Sequence, residues 1–288
     1  MLDVLANAKI NLFLEITGRR NDGYHTVDTV MQEVTISDRI TVDLLPKSKG
    51  IIIESDISSI PTDERNIAYK AAKYFLDKIN ADCGVEINII KRIPSEAGLG
   101  GGSADGAAVL SALNNLCGNP LDMNCLHEIA ANMGADVPFF LYGGTAQMKG
   151  TGTEFVTSLS APELNLVVAK PTVGVSTPLA YRYLDSIYEN FSSHTSLDSK
   201  SLIYALKTGD IREISNRMFN RFEMAADALC PQTQKLRMFM KEHSHGALLS
   251  GSGAAVFAVA DSNSHALDLK RLVQDEFPGY YVSEAKTV

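Results

Sequence analysis

One glycine-rich stretch constrains this chain more than any other: Pro94-Ser95-Glu96-Ala97-Gly98-Leu99-Gly100-Gly101-Gly102-Ser103-Ala104-Asp105. Before it, Val85-Glu86-Ile87-Asn88-Ile89-Ile90 alternates as a strand does. After it, residues 104–116 carry a helical pattern with Val109, Leu113 and Leu116 on one face. The order is strand, glycine loop, helix. Four of the five residues from Gly98 to Gly102 lack side chains, so backbone N–H groups can turn toward a ligand. The helix adds its unpaired first-turn N–H groups and the positive end of its dipole. Such a junction suits a phosphate.

Three familiar loops are excluded by spacing. A Walker loop ends in Gly-Lys-Ser/Thr, and this loop has no lysine. A dinucleotide fingerprint counted from Gly98 would need glycine at Ser103. A nucleophile elbow around Ser103 would need glycine at Asp105.

The remaining classes are narrowed by charge and cysteine use. The chain has 288 residues, 45% of them hydrophobic, which fits one large or two ordinary domains. A net charge of −8 is no broad footprint for nucleic acid. Cys83, Cys117, Cys125 and Cys230 form no Cys-x-x-Cys pair and read as reduced thiols of a cytoplasmic protein. No run approaches the ~20 apolar residues of a membrane span, and Lys9 interrupts any leader-like segment. The Asn190-Phe191-Ser192 sequon is read as chance without a secretion signal. His243 and His245 lack a partner at metal-ligand spacing.

Along the chain, residues 8–16 alternate. Ile10, Leu12, Leu14 and Ile16 share one face; Lys9, Asn11, Phe13 and Glu15 share the other. Taken alone, such a polar face is solvated. Asp22-Gly23 marks a turn, from which Tyr24 and His25 emerge side by side. An aromatic ring beside an imidazole can hold a planar base, or can simply close a hairpin end. Strands are predicted at 27–34 and 38–45, and a helix at 66–79 with Ala68, Ala71, Ala72, Phe75 and Ile79 inward. A helix at 126–133 closes at Gly134. Asp136 then precedes a proline-led apolar segment and, on local pattern, reads as a helix N-cap. A second half begins near Gly150. It offers a strand at 164–169, a loop entering a helix at 175–178 and a serine-rich exposed connection at 190–201. Helices follow at 203–206, 211–228 and 233–241. A hairpin turns at Ser250-Gly251-Ser252-Gly253, and a helix at 264–277 precedes a strand at 280–283. This layout is that of an α+β chain.

These segments together resemble the GHMP kinase superfamily. The resemblance rests on Pro94-x-x-x-Gly98-Leu99-Gly100-x-x-Ser103 and on the late turn Ser250 to Gly253. The runs Ala8-Lys9-Ile10-Asn11-Leu12-Phe13-Leu14, Gly23-Tyr24-His25 and Gly134-Ala135-Asp136-Val137-Pro138-Phe139 narrow it to the branch serving non-mevalonate isoprenoid precursor synthesis. The implied architecture is two-lobed: a ribosomal-protein-like ATP-binding N-terminal domain over 1–155 and a ferredoxin-like C-terminal domain over 156–288, with ATP and acceptor in a cleft. The implied activity is ATP- and Mg²⁺-dependent phosphorylation of a small alcohol carrying a cytidine diphosphate group. Neither nucleic acid nor membrane is an implied partner, and the implied state is a monomer or weak homodimer.

By the same resemblance, Asp136 is the catalytic base and Lys9 its charged neighbour. Pro94, Gly98, Leu99, Gly100, Gly101, Gly102 and Ser103 hold the ATP phosphates, Asn66 lies near the adenosine, and Ser103 contacts Mg²⁺. Asn11 contacts the acceptor, Tyr24 and His25 hold its cytosine, and Thr177, Gly251, Ser252 and Gly253 border it. Two residues depart from the pattern. Glu96 puts a carboxylate into the loop and is expected to point away from phosphate. Gly106 replaces a usual alanine, at about 1 kcal/mol of helix propensity.

Overall fold

A computed structural model describes residues 1–188 and 197–288. The chain opens with two long strands, β1 (Leu2–Arg19) and β2 (His25–Pro46). The turn between them is closed by Asp22, whose carboxylate accepts the Tyr24 N–H at 3.1 Å. Where two strands are predicted at 27–34 and 38–45, β2 is one strand of 22 residues. The join holds because Asp38, fully buried in mid-strand, is satisfied: its carboxylate accepts the Ile93 N–H at 2.8 Å and the Lys91 ammonium.

Next come β3 (Ile51–Ser55), α1 (Ile67–Ile79) and β4 (Cys83–Ile90). They are followed by α2 (Gly101–Leu116), α3 (Met123–Met133) and the single turn α4 (Phe139–Tyr142). Asn66 caps α1 by accepting the Ala68 N–H at 2.9 Å. Asp122 caps α3 from the Cys125 N–H at 2.8 Å, which starts that helix earlier than its apolar pattern does. The N-cap of α4 is Pro138, with no side-chain cap, so Asp136 is not the N-cap its local pattern predicts. Strands β5 (Thr145–Lys149), β6 (Glu154–Ser158) and β7 (Asn165–Lys170) lead to α5 (Thr177–Ile187) and α6 (Lys200–Thr208).

The helix predicted over 211–228 is broken in two. Helices α7 (Ile211–Arg217) and α8 (Glu223–Leu229) flank a two-residue strand, β8 (Phe219–Asn220). That strand pairs in parallel with β1, Phe219 against Phe13 and Asn220 against Leu14. A long-range pairing of this kind overrides a local helical pattern. The chain ends with α9 (Pro231–Glu242), β9 (Gly246–Leu249), β10 (Val256–Ala260), α10 (Asn263–Glu276) and β11 (Tyr281–Lys286).

By its contacts the chain forms two compact units, and the long strands pass from one to the other. The first comprises Met1–Ala8, Ile36–Ile93 and Gly100–Gly143; the second comprises Lys9–Thr35, Pro94–Leu99 and Gly144–Val288. In the first, β4 pairs antiparallel with β2 (Ile40 against Ile89) and parallel with β3 (Ile53 against Ile87). Val85, Ile87 and Ile89 alternate inward along β4 and share one core with Ala68, Ala71 and Phe75 of α1 and Val109, Leu110 and Leu113 of α2. In the second, the order β11-β7-β10-β9, antiparallel throughout, is that of a ferredoxin-like sheet. Its core joins Val167, Leu249 and Val256 to Leu236 of α9 and Leu269 of α10.

Part of the predicted serine-rich connection, residues 190–196 with the sequon, lies outside the described residues. The remainder is not simply exposed. Ser199 is buried and donates its hydroxyl to Asp28 at 2.8 Å, and Asp28 also accepts from Gln147. All four cysteines are free thiols. Among the described residues, no helix is long and apolar enough to cross a membrane.

The departure at Gly106 has a packing reason. A Cβ there would stand 2.5 Å from Ile67 Cγ2, where α2 crosses α1. Gly106→Ala therefore adds about 1 kcal/mol of helix propensity but overpacks the crossing by roughly 1–3 kcal/mol. A calorimetric thermal midpoint lowered by roughly 2–4 °C is the expected result, and the sign should reverse in an Ile67→Ala background.

Candidate active site

In the second unit a polar file runs along the inner face of β1. Lys9 is 2% exposed and Asn11 and Glu15 are fully buried, so the face is not solvated as its composition alone predicts. Burial of such groups requires partners. The Lys9 ammonium donates to Asn11 Oδ1 at 2.6 Å, and the same oxygen accepts the Gly251 N–H at 3.0 Å. Asn11 Nδ2 donates to Thr29 Oγ1 at 2.9 Å, and that hydroxyl donates to the Phe13 carbonyl at 2.7 Å. Asn11 thereby joins a strand lysine to the glycine turn after β9.

That turn is fastened to the first glycine loop. The Ala254 and Ala255 N–H groups donate to the Glu96 and Ala97 carbonyls at 3.2 and 3.1 Å, and Ser250 Oγ donates to the Gly98 carbonyl at 3.0 Å. The Lys9 N–H donates to Leu99 O at 3.0 Å. The fit is close enough to demand glycine. Gly98 has φ +73°, and a Cβ there would fall 2.0 Å from the Ser250 carbonyl oxygen. Gly251 has φ +54°, and its Cβ would lie 2.9 Å from Gly98 O and 3.3 Å from Lys9 Nζ. Ser252 Oγ is 2.7 Å from Thr177 Oγ1 at the start of α5. Glu96 lies over Gly174, where its carboxylate would collide with any Cβ.

His25 and Tyr24 part company. Tyr24 remains 67% exposed, whereas His25 is buried. The His25 ring stacks on Tyr181 (centroids 4.5 Å apart, planes 14°), and Nε2 lies 2.7 Å from an Asp185 carboxylate oxygen. Tyr181 and Asp185 are four residues apart on α5, hence on one face. Neither stands out in the sequence, because i,i+4 spacing alone does not name a partner 160 residues away.

In the first unit, Gly100 sits at the N-cap of α2 with φ +71° and no side-chain cap, and no acid lies in the first turn. The first-turn N–H groups of Gly101, Gly102 and Ser103 therefore remain for an anion. Asn66 is buried; besides capping α1 it donates Nδ2 to the Pro61 carbonyl at 2.7 Å. Asp136 is half-buried in the turn before α4.

Behind the α2 terminus lies a charge cluster that the sequence does not announce. Lys91 Nζ pairs with Asp38 and, at 2.7 Å, with Asp105 of α2. All three are buried, and among the described residues Asp105 Oδ1 has no hydrogen-bond partner. Burial pushes the Asp105 carboxyl up to about 7; Lys91 opposes the shift and Asp38 adds to it.

Sequence profiles of two domains match the chain: GHMP kinases N terminal domain over residues 66–144, and GHMP kinases C terminal over residues 202–279. A 4-diphosphocytidyl-2-C-methyl-D-erythritol kinase of Caldicellulosiruptor saccharolyticus is 40% identical over 263 residues, covering 91% of this chain and 89% of that protein. The chain belongs to the GHMP kinase family. It is therefore an ATP-dependent small-molecule kinase. A kinase of the same name from Desulfitobacterium hafniense is 42% identical over 267 residues, 92% of this GHMP kinase and 89% of the relative. A crystal structure of a 4-(cytidine 5'-diphospho)-2C-methyl-D-erythritol kinase superposes with a TM-score of 0.82 at 32% identity, each chain covered in full.

Gly98→Ala must place a methyl group against backbone in a left-handed conformation, so a loss of about 2 kcal/mol or more is expected in urea unfolding. Asp105 has a folded pKa above the carboxylate's ordinary 3.8, so the unfolded chain ionises first as pH rises. The parent should then lose stability relative to Asp105→Asn between pH ~4 and ~7, with no further change above. Urea midpoints across that range read it; parent stability that rises or stays level relative to the variant as pH rises would refute the assignment.

Proposed function

We propose that this kinase transfers the γ-phosphoryl group of ATP to the 2-hydroxyl of 4-diphosphocytidyl-2-C-methyl-D-erythritol, in the cytoplasm. One observation carries the substrate: relatives of that name match about nine-tenths of the chain. The chemistry is supported by the buried Lys9–Asn11–Gly251 file, since phosphoryl transfer asks chiefly for positioning and charge stabilisation.

In this reading Asp136 accepts the proton of the acceptor hydroxyl as its oxygen attacks the γ-phosphorus and ADP departs. An aspartate is a weak base, adequate when it takes the proton late and a cation keeps it ionised. Lys9 is that cation and offsets charge on the transferring group. Asn11 orients the acceptor, and Thr177, Gly251, Ser252 and Gly253 border it. Tyr24, exposed, and His25, already oriented beside Asp185, hold the cytosine. The loop from Pro94 through Gly98, Leu99, Gly100, Gly101 and Gly102 to Ser103 holds the ATP phosphates through backbone N–H groups, with Asn66 near the adenosine. The Ser103 hydroxyl, half-buried in the first turn of α2, is a hard oxygen donor suited to Mg²⁺. When bound, Mg²⁺ would neutralise phosphate charge. The domain limits 1–155 and 156–288 belong to the same reading.

The competing acceptors are homoserine and mevalonate. Neither carries a base, and the Tyr24–His25 pair would then have nothing to hold. The test is ADP release with Mg²⁺ and each acceptor. Turnover is expected with the cytidine diphosphate acceptor, falling by about 10²–10⁴-fold in Asp136→Asn and by about 10³-fold in Lys9→Ala. Activity that survives Asp136→Asn would remove the base assignment alone. Turnover only with homoserine or mevalonate would replace the substrate.

A further inference from the structure

Asn220 is not among the residues assigned to phosphoryl transfer. It is buried in the two-residue strand β8, inside a segment whose sequence reads as helix. Its amide is fully engaged. Nδ2 donates to the Leu249 and Gly251 carbonyls at 2.8 Å each, and Oδ1 accepts the Phe222 N–H at 2.9 Å. One side chain thus grips the glycine turn at two carbonyls, one on either side of Ser250. The N–H of Gly251 donates to Asn11 Oδ1, which also accepts Lys9 Nζ. The connection from Asn220 to the Lys9 ammonium is a continuous file of hydrogen bonds.

Asn220 is itself held in place. It pairs with Leu14 of β1, and the next residue, Arg221, donates its N–H to Leu14 O at 2.9 Å. The Arg221 guanidinium clasps Glu15 with two hydrogen bonds of 2.7 and 2.6 Å. Glu15 is fully buried on the β1 face that carries Lys9 and Asn11. The anchor of the turn and the strand bearing the lysine are therefore one construction. A bidentate pair of this kind fixes direction as well as distance.

We propose that Asn220 is a positioning residue for Lys9: it sets the glycine turn, and through Asn11 the turn sets the ammonium. The proposal rests on the reading above that Lys9 serves phosphoryl transfer. Loss of the clamp lets the turn relax, and a displacement of about 1 Å at a reacting group can cost about 100-fold in rate.

The experiment is a double-mutant cycle on the full chain with ATP, Mg²⁺ and the cytidine diphosphate acceptor, read by radiolabelled phosphate transfer. Asn220→Asp keeps the volume and the acceptor for Phe222 but turns a carboxylate oxygen toward two carbonyls; Asn220→Ala serves should the aspartate variant not fold, as judged by thermal midpoint. Expected is a fall in kcat of about 100-fold with KM for either substrate moved much less. In a Lys9→Ala background the same change should cost under about threefold, because the two residues act as a unit. Parent-like kcat in a folded Asn220 variant, with Lys9→Ala slowed by about 10³-fold, overturns this proposal alone. Equal losses in both backgrounds also overturn it, since a general structural defect adds independently. Parent-like turnover by Lys9→Ala overturns the reading of the site and this proposal with it.

Discussion

Asn11 Oδ1 accepts two hydrogen bonds, one from a lysine ammonium and one from a glycine N–H, and the polar interior of the second unit is arranged around that atom. A buried ammonium without partners costs several kcal/mol even after relaxation. A strand face carrying Lys9, Asn11 and Glu15 would therefore unfold its own unit unless each group were matched. Asn11 matches Lys9, Thr29 and the turn at once; Arg221 matches Glu15. The requirement that costs stability is also what orients the lysine, because an ammonium held by a fixed acceptor has little freedom of direction.

The backbone of the same region is organised by close approach. Two turns rich in glycine exchange hydrogen bonds through Glu96, Ala97 and Gly98 on one side and Ser250, Ala254 and Ala255 on the other. Side chains at Gly98 or Gly251 would occupy space already filled by the facing backbone. Glycine here serves the approach of one turn to the other, besides the approach of any ligand. Glu96 fits for a related reason: its side chain lies over Gly174, where no Cβ obstructs it.

The first unit solves a different problem. Its helix α2 carries Asp105 inward one turn after its first residue, close to an N-terminus left without a side-chain cap. Lys91, just past β4, and Asp38 of β2 receive that carboxylate, and Asp38 also ties down the segment leading out of β4 through the Ile93 N–H. A carboxyl kept there against its desolvation cost titrates far above its usual range. Gly106, one residue on, lets α2 lie against Ile67 of α1.

Much of this was legible in the chain itself. Alternation marks β4 and β1, 3.6-residue periodicity marks α1, and Gly134 marks the end of α3, because these are local energies that neighbours in sequence decide. The ordered motifs around Lys9, Gly98 and Asp136 named the family for the same reason: they are short and contiguous. What stayed hidden depends on partners far away in sequence. The sequence suggests a helix through Asn220, and only pairing with β1 makes it a strand. It suggests a break before Asp38, and only partners at Lys91 and Ile93 let that carboxylate be buried in one continuous strand. It sets Tyr24 and His25 together, while Tyr181 and Asp185 draw His25 inward and leave Tyr24 outside. The residues alone determined which groups are present and which local shapes they favour; the tertiary structure decided which of them are buried. Burial obliges a polar group to find a partner, and the partners within reach are set by the fold.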